Sequence, residues 1–203
     1  MRLPYYGPKQ IIPGAGKHGR ADTLFHSIPA FSFVNQDGLT ITDNSLQGKI
    51  YVADFFFASC KSICPKIASN LGVLQTKFQP KDSIYILSHT VTPEADSVPV
   101  LKQYSLTIHA DTKSWYFLTG DKKAIYDIAF KGYLLNAVDD TTAVDIQNRF
   151  LHDNHLVLVD KEKHIRGIYD GTSLPDVNKL IDDIHMLKAD YVRQAEAALA
   201  KKK

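Results

Sequence analysis

The chain has two cysteines, Cys60 and Cys64, which lie between the apolar run Tyr51–Phe57 and the start of a helical pattern. The amino end of a helix favours anions, so a cysteine there ionises more easily than a free thiol. Residues four apart in one helical turn lie on the same face. The spacing therefore permits two kinds of chemistry, a small disulfide or the shared binding of one soft metal ion.

A metal held by two thiolates would take a neutral imidazole as a suitable third donor. The sequence has eight histidines, and His152 and His155 lie in the segment expected to form a strand of the closing hairpin. Strand residues three apart point to opposite faces, so only one of these two can face the thiols unless the first lies in the entering loop. Spacing alone leaves the choice between them open.

Composition limits the classes of protein. The 203 residues are 44% hydrophobic with ten Phe and ten Tyr, enough for one well-buried core and a single domain. The 24 basic against 22 acidic residues leave a net charge of +2, which disfavours nucleic acid as a partner. The apolar stretches fall short of the roughly 20 residues that span a bilayer, so we expect the given chain to be soluble.

The elements that must position these residues alternate between strand and helix. Phe31–Val34 and Leu39–Thr42 flank a turn and predict a β-hairpin, and Ile50–Phe57 predicts a central strand. A helix begins at Cys64 or Pro65 and ends before Pro80. The later predictions are strands at 83–88, 114–118, 149–160 and 164–169, helices from 99 and around 124–129, and a closing helix at 174–200. This order predicts an α/β fold with helices on both faces of the sheet.

The termini differ in composition from the rest. Residues 1–24 are rich in Pro and Gly, a composition that predicts a flexible tether. We expect residues 25–200 to form a single domain and residues 201–203 to be a disordered tail. Gly14–Gly19 spells G-x-G-x-x-G, but no strand precedes it and no amphipathic helix follows. Without that context the motif indicates linker composition and not nucleotide binding.

The segment Ala53–Pro65 resembles the Sco/SenC family of copper chaperones. In that family a Cys-x-x-x-Cys motif is followed about ninety residues later by a histidine that lies eight residues before an aspartate, and His152 and Asp160 keep this interval. The resemblance extends over about residues 45–185 and implies a thioredoxin-like fold with a central mixed sheet. It also implies that Cys60, Cys64 and His152 bind one copper ion, as Cu(I) or Cu(II), with His155 as the competing imidazole.

The resemblance further implies a metallochaperone for the dinuclear copper centre of cytochrome c oxidase, whose copper-bearing subunit is the expected partner. Other copper chaperones or a thioredoxin-like reductant are further candidate partners. Such proteins work on the periplasmic side of the cytoplasmic membrane. We therefore expect an extracytoplasmic protein whose full-length form is anchored by an N-terminal segment missing from this sequence.

Two enzymatic alternatives use the same thiols. A thiol-disulfide oxidoreductase that reduces the cysteines of the oxidase copper site would need Cys60 and Cys64 as a redox pair but not His152. Three intervening residues disfavour the thioredoxin enzymes, which have two, and a peroxiredoxin would need an Arg–Thr arrangement that the sequence does not indicate. Asp54 either orients a thiol proton or accepts from a buried donor. The other histidines considered are expected to be structural: His89, His109, His155, His164 and His185.

Overall fold

A computed structural model describes residues 2–13, 22–78, 80–135 and 154–200. Its strands are β1 (Lys9–Ile12), β2 (Asp22–Phe25), β3 (Ser32–Val34), β4 (Thr40–Thr42), β5 (Ile50–Phe56), β6 (Ile84–Thr90), β7 (Trp115–Leu118), β8 (His155–Val159) and β9 (Ile165–Asp170). Its α-helices are α1 (Cys64–Lys77), α2 (Val98–Thr107), α3 (Lys122–Asp127) and α4 (Leu174–Ala200). A π-helical turn, Ile128–Gly132, continues α3, and two short 3-10 turns occupy Asp43–Leu46 and Pro80–Asp82.

Five strands form the central sheet in the order β7-β6-β5-β8-β9. Strands β5, β6 and β7 are parallel, whereas β8 runs antiparallel to β5 and β9 antiparallel to β8. The sheet is therefore mixed. The predicted hairpin before it is also confirmed, because β3 pairs with β4 in antiparallel register.

Strand β5 is buried along its whole length because both faces of the sheet are covered. One face, which we call the thiol face, packs Val52 and Phe56 in the same core as both cysteines and residues of α1, α2 and α4. The other face packs Tyr51, Ala53 and Phe55 against the β3–β4 hairpin and α3. This alternation is what a strand period of two produces, and it confirms helices on both faces.

Helix α1 forms where the apolar residues recur at helical spacing. Ile67, Leu71 and Leu74 are buried, Pro65 occupies the first turn, and Phe78 ends the helix in an extended conformation. The closing helix α4 directs a similar stripe inward, consisting of Val177, Leu180, Ile181, Ile184 and Leu187. Helices α1 and α4 contact each other on the thiol face.

The cysteines and the turn between β8 and β9 lie at opposite ends of the central sheet. The thiol end lies beyond the carboxyl end of β5, where Phe56 leads to the cysteines. The far end lies at the start of β5, where Tyr51 pairs with Val159 and Val159 pairs with Ile165. Because β8 and β9 are antiparallel to each other, the turn that joins them also lies at the far end.

Residues 2–8, which we call the N-terminal arm, contact the far end. The Arg166 side chain, 5% exposed, donates hydrogen bonds to the Leu3 and Pro4 carbonyls at 2.6 and 3.0 Å and pairs with Asp160 at 2.7 Å. The Tyr6 amide donates to the Ile165 carbonyl at 3.0 Å. The interval predicted as a tether thus contains specific contacts, and it also contains β1 and most of β2, which pair in antiparallel register.

Within the described ranges, no helix combines the length and the apolar character needed to cross a membrane. The Gly14–Gly19 motif and the tail at residues 201–203 lie outside these ranges. The domain boundaries proposed from the sequence stay predictions.

Candidate metal centre

The two cysteines lie on either side of the start of α1. A tight turn, in which the Cys60 amide donates to the Phe57 carbonyl at 3.1 Å, carries Cys60 away from β5. Cys64 is the first residue of α1. Both are free thiols, 8% and 7% exposed respectively, and both belong to the core of the thiol face. The structure therefore brings the two sequence-predicted sulfur donors into one turn.

The two thiols have opposite acidities. Burial disfavours the Cys60 thiolate, but hydrogen bonds from the Cys64 thiol and from Ser62 outweigh burial, so the pKa of Cys60 is lowered. Burial raises the pKa of Cys64 to about 12, and its hydrogen bond to Cys60 contributes to the rise. The Ser62 hydroxyl lies 3.5 Å from the Cys60 sulfur. At neutral pH, Cys64 thus keeps its proton and donates it in a hydrogen bond to Cys60.

Asp54 lies behind the cysteines on β5 and is 4% exposed. The Ser88 hydroxyl, directly opposite in the β5–β6 register, donates to Asp54 at 2.5 Å, and the Trp115 indole donates to Ser88 at 2.8 Å. This arrangement supports the expectation that Asp54 accepts from a buried donor. Asp54, Ser88, Cys64 and Tyr104 also line an internal cavity of about 10 Å³, which is close to the space of one water molecule.

Ser88, Trp115 and Tyr104 were not predicted from the sequence as neighbours of Asp54. The apolar segment around Asp54 did indicate that its carboxylate needs a hydrogen-bond partner. Asp96, whose carboxylate accepts a hydrogen bond from the Ala58 amide at 3.1 Å, was also missed. The signal for Asp96 was weak, since an aspartate before a helix is common in turns.

Of the two candidate histidine ligands, the structure describes His155 but not His152. His155 begins β8 and shares the strand face of Val157 and Val159, which pack in the core opposite the thiol face. Leu156 and Leu158 point the other way, into the core that contains the cysteines. This orientation disfavours His155 as a ligand. His152 lies outside the described residues, and among the described residues no three His, Cys, Asp or Glu side chains form a group that could hold a metal ion.

The entry to β8 packs beside α1. The Gly171 amide donates to the Asn154 carbonyl at 2.7 Å, and the Asn70 side chain donates to the Gly171 carbonyl at 2.8 Å. A Cβ atom at Gly171 would lie 3.0 Å from the Asn154 carbonyl oxygen and 3.2 Å from Ile67. Asn154 is therefore held close to the helical turn that follows Cys64.

Three other described histidines have contacts expected of structural residues. His89 is fully buried and stacks on Phe55, with ring centroids 5.1 Å apart. The His164 ring hydrogen-bonds the His26 carbonyl at 2.8 Å, and the His185 ring packs against Phe78 at 5.1 Å.

The mixed sheet, the helices on both of its faces and the cysteines at the start of α1 define a thioredoxin-like protein. The sequence profile of the SCO1/SenC family matches residues 20–189, so the chain belongs to this family. A curated relative, the SCO1 protein homolog of Bacillus subtilis (strain 168), is 28% identical over 165 residues, covering 80% of this chain and 83% of the relative.

Solved structures show the same fold. A SCO1/SenC family lipoprotein from Bacillus anthracis str. Ames superposes with a TM-score of 0.69 at 25% identity, covering 80% of this chain and 95% of the lipoprotein. BsSco, a Sco-family cytochrome c oxidase assembly protein with a disulfide switch, superposes with a TM-score of 0.63 at 27% identity. The match covers 78% of this chain and 93% of BsSco. Copper-bound ScoI of Bradyrhizobium japonicum superposes with a TM-score of 0.57 at 20% identity, covering 80% of this chain and 99% of ScoI. At this identity the match shows a shared fold.

Proposed function

We propose that this protein is a copper-binding metallochaperone that helps to assemble the dinuclear copper centre of cytochrome c oxidase. Copper is its cargo, held by Cys60, Cys64 and His152 and passed by ligand exchange to the copper-bearing oxidase subunit. Membership of the SCO1/SenC family and the oxidase-assembly role of BsSco support this proposal.

The observation that carries the proposal is the pair of free thiols in one turn at the start of α1. Thiolates are soft ligands that suit Cu(I), and the two sulfurs lie close enough for each to affect the pKa of the other. Cu(I) would displace the proton of Cys64 and any proton that Cys60 carries, because the metal binds the thiolate form of both residues.

The packing of Asn154 beside α1 supports His152 as the third donor. His152 is two residues from Asn154, a span of about 7 Å at most for an extended chain. Asn154 in turn is linked to α1 through Gly171 and Asn70. His155 is disfavoured because its strand face is the one opposite the thiols.

The test is an anaerobic titration of the reduced protein with Cu(I) against a competing chelator. We expect one equivalent to bind, and His152→Ala to weaken binding by at least the roughly tenfold loss that outer-shell substitutions cause. The matched control His155→Ala should bind like the wild type. Failure to bind about one equivalent, or undiminished binding by His152→Ala, would refute the proposal.

A second candidate function is thiol-disulfide exchange that reduces the cysteines of the oxidase copper site. The unequal acidity of the two thiols favours it, because a more acidic Cys60 would attack a disulfide and Cys64 would then resolve the mixed disulfide. Reduction of an oxidase-derived disulfide peptide separates the two functions. An oxidoreductase would lose activity in Cys60→Ser and keep it in His152→Ala, whereas a copper carrier needs both residues for metal binding.

We further propose an extracytoplasmic, membrane-anchored location for the full-length protein. The Bacillus anthracis relative, a SCO1/SenC family lipoprotein, supports it. Fractionation of cells that express the complete gene tests it, with the protein expected in the membrane fraction and accessible to protease from the extracytoplasmic side. Recovery in the cytosol would contradict it.

A further inference from the structure

Asp96 is a buried carboxylate in the loop between β6 and α2, 2% exposed. One of its oxygens, Oδ2, accepts three hydrogen bonds. The donors are the Ala58 amide at 3.1 Å, the Thr92 hydroxyl at 3.0 Å, and the Thr90 hydroxyl. The Asp96 amide also donates to the Thr92 carbonyl at 2.9 Å, which closes the loop on itself.

These hydrogen bonds join the surroundings of both thiols. Ala58 belongs to the turn Phe57–Cys60, so its bond to Asp96 restrains the backbone that carries the first sulfur. Asp96 also lies two residues before α2, and Tyr104 of α2 stacks on Phe56 and lines the small cavity beside Cys64. Asp96 therefore ties the turn of Cys60 to the loop that leads into α2, the helix whose Tyr104 lines the cavity beside Cys64.

The charge of Asp96 has no basic partner among the ion pairs that the described residues form. A buried carboxylate is costly unless hydrogen bonds compensate it, and here the compensation comes from neutral groups. Removing the carboxylate would leave three donors to find other acceptors, and one of them is the amide of the cysteine-bearing turn. The turn would then lose its hydrogen bond to the loop that follows β6.

We propose that Asp96 is a positioning residue that sets where the Cys60 sulfur lies relative to the Cys64 sulfur. The inference rests on the proposed function, since it concerns the same two thiols. It applies both to joint binding of copper and to formation of the disulfide, because a disulfide requires the sulfurs to approach to about 2.05 Å with defined torsion. Asp96 acts through the Ala58 backbone and does not touch the metal.

The test compares Asp96→Ala and Asp96→Asn with the matched control Asp160→Asn, a buried carboxylate at the far end. Two quantities are measured on folded protein. They are the wavelength of the sulfur-to-Cu(II) charge-transfer band and the midpoint potential of the Cys60–Cys64 couple. We expect Asp96→Ala to shift both and to bind Cu(I) about tenfold more weakly. Asp96→Asn should shift them less, because its amide oxygen still accepts hydrogen bonds.

Asp160→Asn should lose stability and leave both quantities at their wild-type values, which separates positioning from general destabilisation. If Asp96→Ala does not fold, Thr92→Val removes one donor to the same oxygen and should shift both quantities in the same direction by a smaller amount. Wild-type values in every folded variant of this network would overturn the proposal. If the wild type binds no copper, the proposed function fails, and the midpoint potential still decides the role of Asp96.

Discussion

The Cys64 thiol is a hydrogen-bond partner of the Cys60 sulfur, and this contact lowers the pKa of Cys60 and adds to the rise that burial causes in the pKa of Cys64. The donor keeps its proton and the acceptor becomes the better anion. Two cysteines with nearly equal exposure therefore differ in reactivity. The difference can be measured without any metal.

We predict that iodoacetamide at neutral pH modifies Cys60 before Cys64, because the thiolate is the reacting species and only Cys60 has a lowered pKa. Peptide mass spectrometry after short exposures gives the ratio directly, since the chain has no other cysteine. The same reaction in denaturant should modify both at similar rates. Faster labelling of Cys64 in the folded protein would contradict the assigned hydrogen bond.

His89 should make the protein sensitive to acid. Burial lowers the pKa of His89 to about 3, below its ordinary value of 6.5, so the unfolded state binds the proton more tightly than the folded state. Stability from neutral His89 is therefore present above pH 6.5 and is lost as the pH falls toward 3. Between pH 6.5 and 4.5 the loss is on the order of 2–3 kcal/mol.

The comparison variant is His89→Phe, which keeps an aromatic ring beside Phe55 and removes the buried Nδ1 atom that has no hydrogen-bond partner among the described residues. Urea unfolding at several pH values should show a flatter profile for this variant over pH 6.5–4.5. The variant also gives up the contact of the His89 ring with the Tyr133 hydroxyl at 3.3 Å, so its stability at pH 7 is not the readout. Parallel profiles for both proteins would refute the prediction.

Two glycines should respond oppositely to alanine. A Cβ atom at Gly167 would lie 2.1 Å from the Tyr169 hydroxyl oxygen, which donates to Asp183 at 2.7 Å, so Gly167→Ala displaces a buried ring and breaks its hydrogen bond. We expect a loss of about 1–3 kcal/mol in the free energy of unfolding. Gly72 in α1 has no atom within 4 Å of the added carbon, and Gly72→Ala should gain about 0.5–1 kcal/mol.

Thermal and urea unfolding of the two glycine variants measure these changes side by side. A gain in stability for Gly167→Ala would show that the contacts around Gly167 do not set its response, and a loss for Gly72→Ala would contradict the prediction for α1.

Arg166 should hold the N-terminal arm in place. Arg166→Met removes both hydrogen bonds to the arm and leaves Asp160 without its cationic partner, which typically costs about 3–5 kcal/mol for a buried pair. Hydrogen exchange at the Tyr6 amide, which donates to the Ile165 carbonyl, should become faster. Lys163→Met, which breaks a more exposed ion pair with Asp43, is the control and should leave Tyr6 exchange unchanged.

The parts of the fold with regular apolar spacing were predictable from the sequence. The run at β5 and the stripe of α1 each indicated the correct element, because burial on both faces of a strand gives a continuous apolar run and burial on one face of a helix gives a helical period. The helix around residues 124–129 was predicted as one element, but it changes to a π-helical turn at Ile128. Gly132 at the end of this turn allows close packing, since a Cβ atom there would lie 2.9 Å from Ile128 and 3.2 Å from Pro29.

Contacts between distant residues could not be predicted. The partner of Asp54 depends on the register of β5 against β6, which places Ser88 opposite it. Binding of the N-terminal arm depends on Arg166, more than 160 residues away, while the arm itself has only the composition of a linker. The two cysteines were found because their short-range spacing is visible in the sequence, and Asp96 was missed because its hydrogen bond to Ala58 joins residues 38 positions apart.

The position of the N-terminal arm has a practical consequence for handling the protein. The arm is attached at the far end of the sheet, whereas the cysteines lie at the thiol end. A bead, a sensor surface or a fused carrier joined ahead of Arg2 would lie at the end of the sheet opposite the cysteines, so immobilised protein should exchange metal with soluble chelators as readily as free protein does.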